Sequence, residues 1–219
     1  MADPRLHLLH LSSPALPVGA YAYSQGLEYA IEAGWLADEK LRDWLRDGLH
    51  LGVARLDLPI LRRVLEAARE GDTVAMNRWN DELLANRETR ELVLEDQQMG
   101  QALLRLLKSL HAQLEDGFTQ VPAYACAFAV ACKVWDIDAS DAMRAYCFSW
   151  LENQVTAATK LVPLGQTQAQ RLLVGLLDEI PDACERGITV ADEAIGLSLP
   201  GLALASSAHE KQHTRLFRS

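Results

Sequence analysis

The sequence predicts an all-α fold, a single-domain bundle of about ten helices. Three observations predict it. Apolar residues recur at intervals of three and four along most of the 219 residues. No segment sustains an alternation of β-branched and polar residues. Turn signals are sparse and short, and no internal repeat or low-complexity linker interrupts the chain. A chain this long buries about 70% of the surface it exposes when unfolded, so it needs no disulfide or metal staple.

The elements follow in order. Helices are expected near Gln25–Trp35 and Asp38–Leu56. In Leu58 to Gly71, the residues Leu58, Leu61, Leu65 and Ala68 share one face. Pro59 suits the first turn and Gly71 the position just past the end. Arg62 and Glu66, four apart, sit on the wet side. Another helix is expected over Thr73–Ala85.

Glu88 to Glu115 reads as a long helix through the centre of the bundle, with Leu92, Met99, Leu103, Leu106, Leu110 and Leu114 recurring along it. Gly100 lies inside it. A mid-helix glycine costs about 1 kcal/mol relative to alanine, so it is either a close approach by another backbone or a tolerated defect. Val121 to Trp135 alternates alanine with Tyr124, Cys126, Phe128, Val130 and Cys132, which mimics a strand. Alanine favours the helix, and small apolar residues all round suit a central helix, with Pro122 in its first turn. Further helices are expected at Asp138–Thr159, Gly165–Ile180 and Leu202–His213. Pro181 to Pro200 carries the weakest signal.

Composition limits function. Apolar residues make up 49% and charged residues 23%, as in ordinary globular domains. The net charge of -9 has the wrong sign for a nucleic-acid binder, which must replace phosphate counterions. Cys126, Cys132, Cys147 and Cys184 form no C-x-x-C pair and read as reduced, buried thiols of an intracellular protein. The start, Met1-Ala-Asp-Pro-Arg-Leu, does not read as a signal peptide. The longest apolar run, Val121 to Cys132, falls short of the roughly 20 residues of a membrane span. A cytoplasmic protein is expected, with no nucleic-acid or membrane partner.

Catalytic motifs are thin. His209-Glu-Lys-Gln-His213 is a literal H-E-x-x-H, which on a helix places two imidazoles for zinc and Glu210 as a general base. The six residues after His213 include no ordinary zinc ligand, so a metallohydrolase is a distant alternative. A metal carrier using His209 and His213 is another. Gly196-Leu-Ser198-Leu-Pro200-Gly201 misses the nucleophile-elbow spacing by one residue. No phosphate-binding glycine loop occurs. His7, His10, His50 and His111 are scattered and read as surface or capping residues.

Three blocks exceed what a generic bundle needs. Ser13-Pro-Ala-Leu-Pro-Val-Gly-Ala-Tyr-Ala-Tyr-Ser-Gln-Gly-Leu-Glu-Tyr-Ala is a stiff, non-helical lead-in with Ser24 as a helix cap. It is either a plug at the end of the bundle or a rigid interaction surface. Trp150 to Gln170 carries Asn153, Thr156 and Lys160 on one polar stripe, and Gln166 and Gln170 on a second. Such stripes are either solvated faces or hydrogen-bonded interfaces. The third block, His209 to Ser219, is a basic, aromatic-bearing end on an acidic chain. It suits a docking tail that orders on a partner.

Together Ser13–Ala30, Glu88–Leu92, Gln98–Gly100, Trp150–Gln166 and His209–Ser219 resemble the motifs of the UreF family of urease accessory proteins, in the same order and over nearly the whole chain. His213 departs from that pattern, in which tyrosine is common. The resemblance implies an all-α body over residues 1–208 and a partner-docking tail over 209–219. It implies a helper without catalysis or cofactor of its own, needed for nickel insertion and maturation of the urease metallocentre. The implied partners are the accessory protein UreD (also called UreH), the GTPase UreG and the urease apoprotein. Nickel is handled by the complex, and a homodimer forms within it. Carried over position by position, the interaction residues are Tyr23, Ser24, Glu28, Lys160, Gln166, His209, Glu210, Arg215, Phe217 and Arg218.

Overall fold

Helical spacing becomes helix along most of the chain. The computed structural model describes residues 3–36, 40–111, 114 and 116–219. Helix α1 (Pro4–Leu11) starts on the carboxylate of Asp3, which accepts from the Arg5 amide at 2.9 Å. α2 (Leu27–Glu32) follows a short 3-10 turn at Ala20–Ala22. α3 (Lys40–Asp47) runs on into a π-helical turn at Gly48–Val53, and α4 (Asp57–Glu70) follows. Then come α5 (Thr73–Ala85), α6 (Arg90–Leu110), α7 (Tyr124–Val134) and α8 (Ala139–Leu161). The last three are α9 (Gln166–Leu177), α10 (Ile180–Thr189) and α11 (Pro200–His209). No strand occurs among the described residues. The fold is an all-α, single-domain bundle.

Local chemistry sets the boundaries. The oxygens of Asp72, Thr89 and Asp138 accept from the amides of Ala75, Leu92 and Asp141, which caps α5, α6 and α8. Gly71 closes α4 in a left-handed conformation. The face Leu58, Leu61, Leu65 and Ala68 is buried, and Arg62 pairs with Glu66 at 2.7 Å on the outside.

Several expectations need correction. α2 is shorter than Gln25–Trp35, because Gln25 and Gly26 both take positive φ and cannot continue a helix. The helix expected over Asp38–Leu56 is instead α3 plus the π-helical turn, and Asp38 lies outside the described residues. α6 stops at Leu110, which is 54% exposed, short of the expected Glu115, a residue outside the described set. Pro122 precedes α7 instead of lying in its first turn. α11 ends at His209, and the chain turns there instead of continuing to His213. α1 and α10 appear where the periodicity was too short to announce them.

α7 is the centre. Every residue from Tyr124 to Cys132 is buried, against α4, α6 and α8. Gly100 resolves as a close approach: a Cβ there would lie 2.1 Å from the Pro122 carbonyl oxygen and 2.9 Å from the Ala123 carbonyl carbon. The absent side chain lets the lead-in to α7 lie directly on α6. The four cysteines are free and buried.

A buried ion cluster ties these helices together. Arg87 donates to Asp57 of α4 at 2.5 Å and to Asp96 of α6. Asp57 also accepts from the Tyr146 hydroxyl of α8 at 2.9 Å, and Asp96 from the Tyr124 amide of α7 at 3.1 Å. Burial pushes the Asp96 carboxyl up, against the opposing pull of the Arg87 guanidinium. Loss of Arg87 would leave two carboxylates buried together, a change of about 3–5 kcal/mol.

The close approach at Gly100 carries a test. Alanine there gains helix propensity but must push a backbone carbonyl aside. Gly100→Ala is expected to destabilise by about 1–3 kcal/mol, read as a melting temperature several degrees lower. A stabilised variant would contradict the packing.

Candidate partner-docking site

The first and third sequence blocks meet. Pro14, Pro17 and left-handed Gly19 stiffen the lead-in and deliver Tyr23 and Ser24 to the start of α2. The Ser24 hydroxyl accepts from the Glu28 amide at 3.3 Å, but Gly26 occupies the cap position of α2, so Ser24 lies two residues ahead of the cap it was expected to be. Gly26 lets α11 press on this turn, since a Cβ there would lie 2.9 Å from the Ser206 amide nitrogen. Thr89 and Ser206, both buried, share a hydrogen bond of 2.7 Å that fixes α11 against the start of α6. After His209 the chain turns and lays its last residues back across α2 and α6.

Glu28 receives that segment. Its Oε1 accepts from the Leu216 amide at 2.7 Å, and its Oε2 from the Phe217 amide at 2.9 Å. Oε2 also lies 3.2 Å from His209 Nε2. Three donors converge on one carboxylate that is only 7% exposed. A buried carboxylate is tolerated only with such partners.

His209 is fully buried and sits between two acids. Its Nδ1 lies 2.7 Å from Glu91, and Glu91 also accepts from Arg215 at 2.6 Å. Each ring nitrogen of His209 thus faces a carboxyl group, Glu91 on one side and Glu28 on the other. Arg215 brings a positive charge against Glu91.

The end of the segment is locked as firmly. The Ser219 carbonyl accepts from the Ser24 amide at 2.8 Å and from the Ser24 hydroxyl at 2.6 Å. The Arg218 amide donates to the Ala22 carbonyl at 2.8 Å. The Ser219 hydroxyl donates to Glu95 at 2.6 Å. Burial pushes the Glu95 carboxyl up to about 7, against the hydrogen bonds from Ser219 and Gln25. Phe217 is buried in the core, with Lys160 of α8 5.3 Å from its ring centre.

The second block supports the first. Trp150 Nε1 donates to Gln25 at 2.9 Å, and Gln25 donates to Glu95 at 2.8 Å. Asn153 donates to the Tyr23 carbonyl at 3.3 Å, and the Tyr23 hydroxyl to Gln98 at 2.6 Å.

The residues singled out in the sequence therefore fall into two groups. Tyr23, Ser24, Glu28, His209 and Phe217 are buried and form the seat. Lys160, Glu210, Arg215 and Arg218 are exposed around it, with Leu216 61% exposed between the two arginines. Gln166 stands apart, exposed in the first turn of α9. A tail expected to await a partner is ordered on its own chain. The H-E-x-x-H spacing is divided: His209 has both nitrogens engaged inside, while His213 is exposed. Among the described residues no group of three or more His, Cys, Asp or Glu side chains is arranged to hold a metal ion.

Sequence reading missed Glu91, Glu95 and Gln98. Their spacing of four and three puts them on one face of amphipathic α6, and that was the available signal.

Glu28→Ala removes the acceptor for three buried donors, each worth about 1–3 kcal/mol when left unpaired. The expected result is release of the tail with the body still folded: trypsin cuts after Arg215 at least about tenfold faster, while the helical circular dichroism signal persists. Unchanged cutting would contradict the seat.

Comparison with known proteins gives the family. The UreF family model matches residues 36–177. The chain is 51% identical to the urease accessory protein UreF of Teredinibacter turnerae, over 100% of both chains. It is 49% identical to that of Chromohalobacter salexigens, over 97% of this chain and 93% of that one. The counterpart in Alkalilimnicola ehrlichii is 47% identical, over 97% and 94%. With a family model covering more than half the chain and full-length relatives near one-half identity, the chain belongs to the UreF family of urease accessory proteins.

Proposed function

We propose that this chain is a non-catalytic scaffold in urease maturation. It binds UreD/UreH through the face built on its seated tail, recruits the GTPase UreG through that complex, and so supports nickel insertion into the urease apoprotein. The complex handles the nickel, the chain works as a homodimer within it, and the assembly is cytoplasmic. Among the described residues no helix is long and apolar enough to cross a membrane.

The observation that carries the reading is the outward face of the tail. The buried groups Glu28, His209 and Phe217 fix the backbone, so Arg215, Leu216 and Arg218 project at set positions. An exposed apolar side chain flanked by two guanidinium groups, with Lys160 nearby, suits a partner surface that pairs carboxylates with an apolar pocket. Holding these side chains in place before binding removes part of the ordering entropy of association. The alternative of a direct nickel carrier has less support, because both nitrogens of His209 are already bonded.

The test is co-purification with UreD and UreG, followed by a urease activation assay. Deleting Arg215 to Ser219 is expected to abolish capture of UreD and activation of urease. Because that deletion also removes buried Phe217, the exposed pair Leu216→Asp and Arg218→Glu provides the control, and should lower capture at least about tenfold with the melting temperature unchanged. Normal capture by both variants would overturn the docking assignment.

A further inference from the structure

Three features outside the tail seat converge on one place. The π-helical turn at Gly48–Val53 departs from regular helix, and such turns recur at functional sites. Gln154 of α8 is only 2% exposed, yet its side-chain nitrogen meets no acceptor among the described residues. A half-open cavity of about 190 Å³ lies between these two elements and the start of α11, and Gly48 and Gln154 both line it.

Its walls are aromatic and aliphatic: Trp44 of α3, Trp150 of α8, Leu51 of the π-helical turn, and Leu199 and Leu202 at the start of α11. The sequence holds them in place. A Cβ at Gly48 would lie 2.8 Å from Trp150 Cη2, so the bare backbone there is what admits the indole. Trp150 Nε1 donates to Gln25 at 2.9 Å, which fixes the orientation of the ring. An apolar cavity of about 150 Å³ is enough to hold benzene, so this one has room for a ring with a small substituent.

The polar part of the lining selects the substituent. Gln154 Nε2 is a buried donor, and such a donor is destabilising until an acceptor reaches it. Asp47 lines the same cavity and pairs with Arg46 at 3.5 Å on the surface side. Its carboxylate accepts N–H bonds and repels anions. A ligand that satisfies both residues carries a carbonyl and an N–H and has no negative charge. A carboxamide meets that description.

We propose that this cavity binds a small neutral aromatic carboxamide, its ring against Trp44 and Trp150 and its carbonyl accepting from Gln154. The two indoles bury the ring and add the attraction of aromatic pairs. The amide supplies orientation, as the few polar groups of an otherwise apolar site do. Glu28, His209 and the last residues of the chain take no part in the lining, so the site stands or falls separately from the docking face.

Benzamide is the probe, with toluene (the same ring without the amide) and benzoate (the same shape with a charge) for comparison. Each is titrated into the isotope-labelled full chain, and the indole N–H of Trp150 and the side-chain amide of Gln154 are followed by NMR. Benzamide is expected to shift both signals saturably and to bind at least about tenfold tighter than toluene or benzoate. Gln154→Leu keeps the bulk and removes the donor. It is expected to lower benzamide affinity at least about tenfold while toluene affinity stays unchanged. Leu202→Trp, which fills the cavity, serves where Gln154→Leu does not fold, and is expected to abolish binding of both. The absence of a saturable shift at millimolar benzamide, the result for a cavity that holds water alone, overturns the site. Equal affinity for benzamide and toluene overturns it too, as does benzamide binding undiminished in the variants.

Discussion

One carboxylate organises the working end of this molecule. Glu28 sits in the first turn of α2, where the helix terminus favours negative charge, yet it is buried with few routes to water. Its charge has to be satisfied by protein, and the groups that do so are the amides of Leu216 and Phe217 and the imidazole of His209. Burial of the acid and order in the tail are thus one event. Without the tail Glu28 would lose its cover and its protein donors together, and without Glu28 the amides of Leu216 and Phe217 would lose their acceptor.

The rest of the bundle makes that event possible. α7 fills the centre and presses α4 and α6 into fixed positions. The Arg87 cluster joins the start of α4 to the middle of α6, close to Glu91 and Glu95. Such a cluster is an uncertain source of net stability but a strong constraint on register. If α6 slid by one turn, Asp96 would leave Arg87, and Glu91 and Glu95 would leave the tail. Rigidity made in the core is in this way delivered to the surface, where Arg215, Leu216 and Arg218 stand.

Much of this was legible in the sequence, and the reason is period. α4 and α6 are long amphipathic segments with caps, so Leu58, Leu61 and Leu65 announce a buried face. α7 was legible by composition, since alanine decides for helix where alternation is ambiguous. α1 and α10 were not, because eight or ten residues give too few repeats. The Gly48–Val53 turn was invisible for another reason: a π-helical step keeps helix-like composition and changes only which carbonyl each amide meets. For the site, the blocks were visible one by one, and their meeting was not. Nothing local says that Glu28 and Phe217, far apart in sequence, share a hydrogen bond. The tail's basic, aromatic character suggested a free docking arm, yet Phe217 already has a home in the core and Arg215 already pairs with Glu91 of α6.

The central claim is that a tail seated on its own chain presents one face to the accessory partner. Its most direct test is site-specific crosslinking in the assembled complex, with a photoreactive residue placed at exposed Leu216 and, as an internal control, at buried Phe217. The account predicts capture of UreD from position 216 and crosslinks within this chain from position 217. Capture of UreD from 217 with none from 216 would contradict it, since the partner would then be holding the face that this structure turns inward.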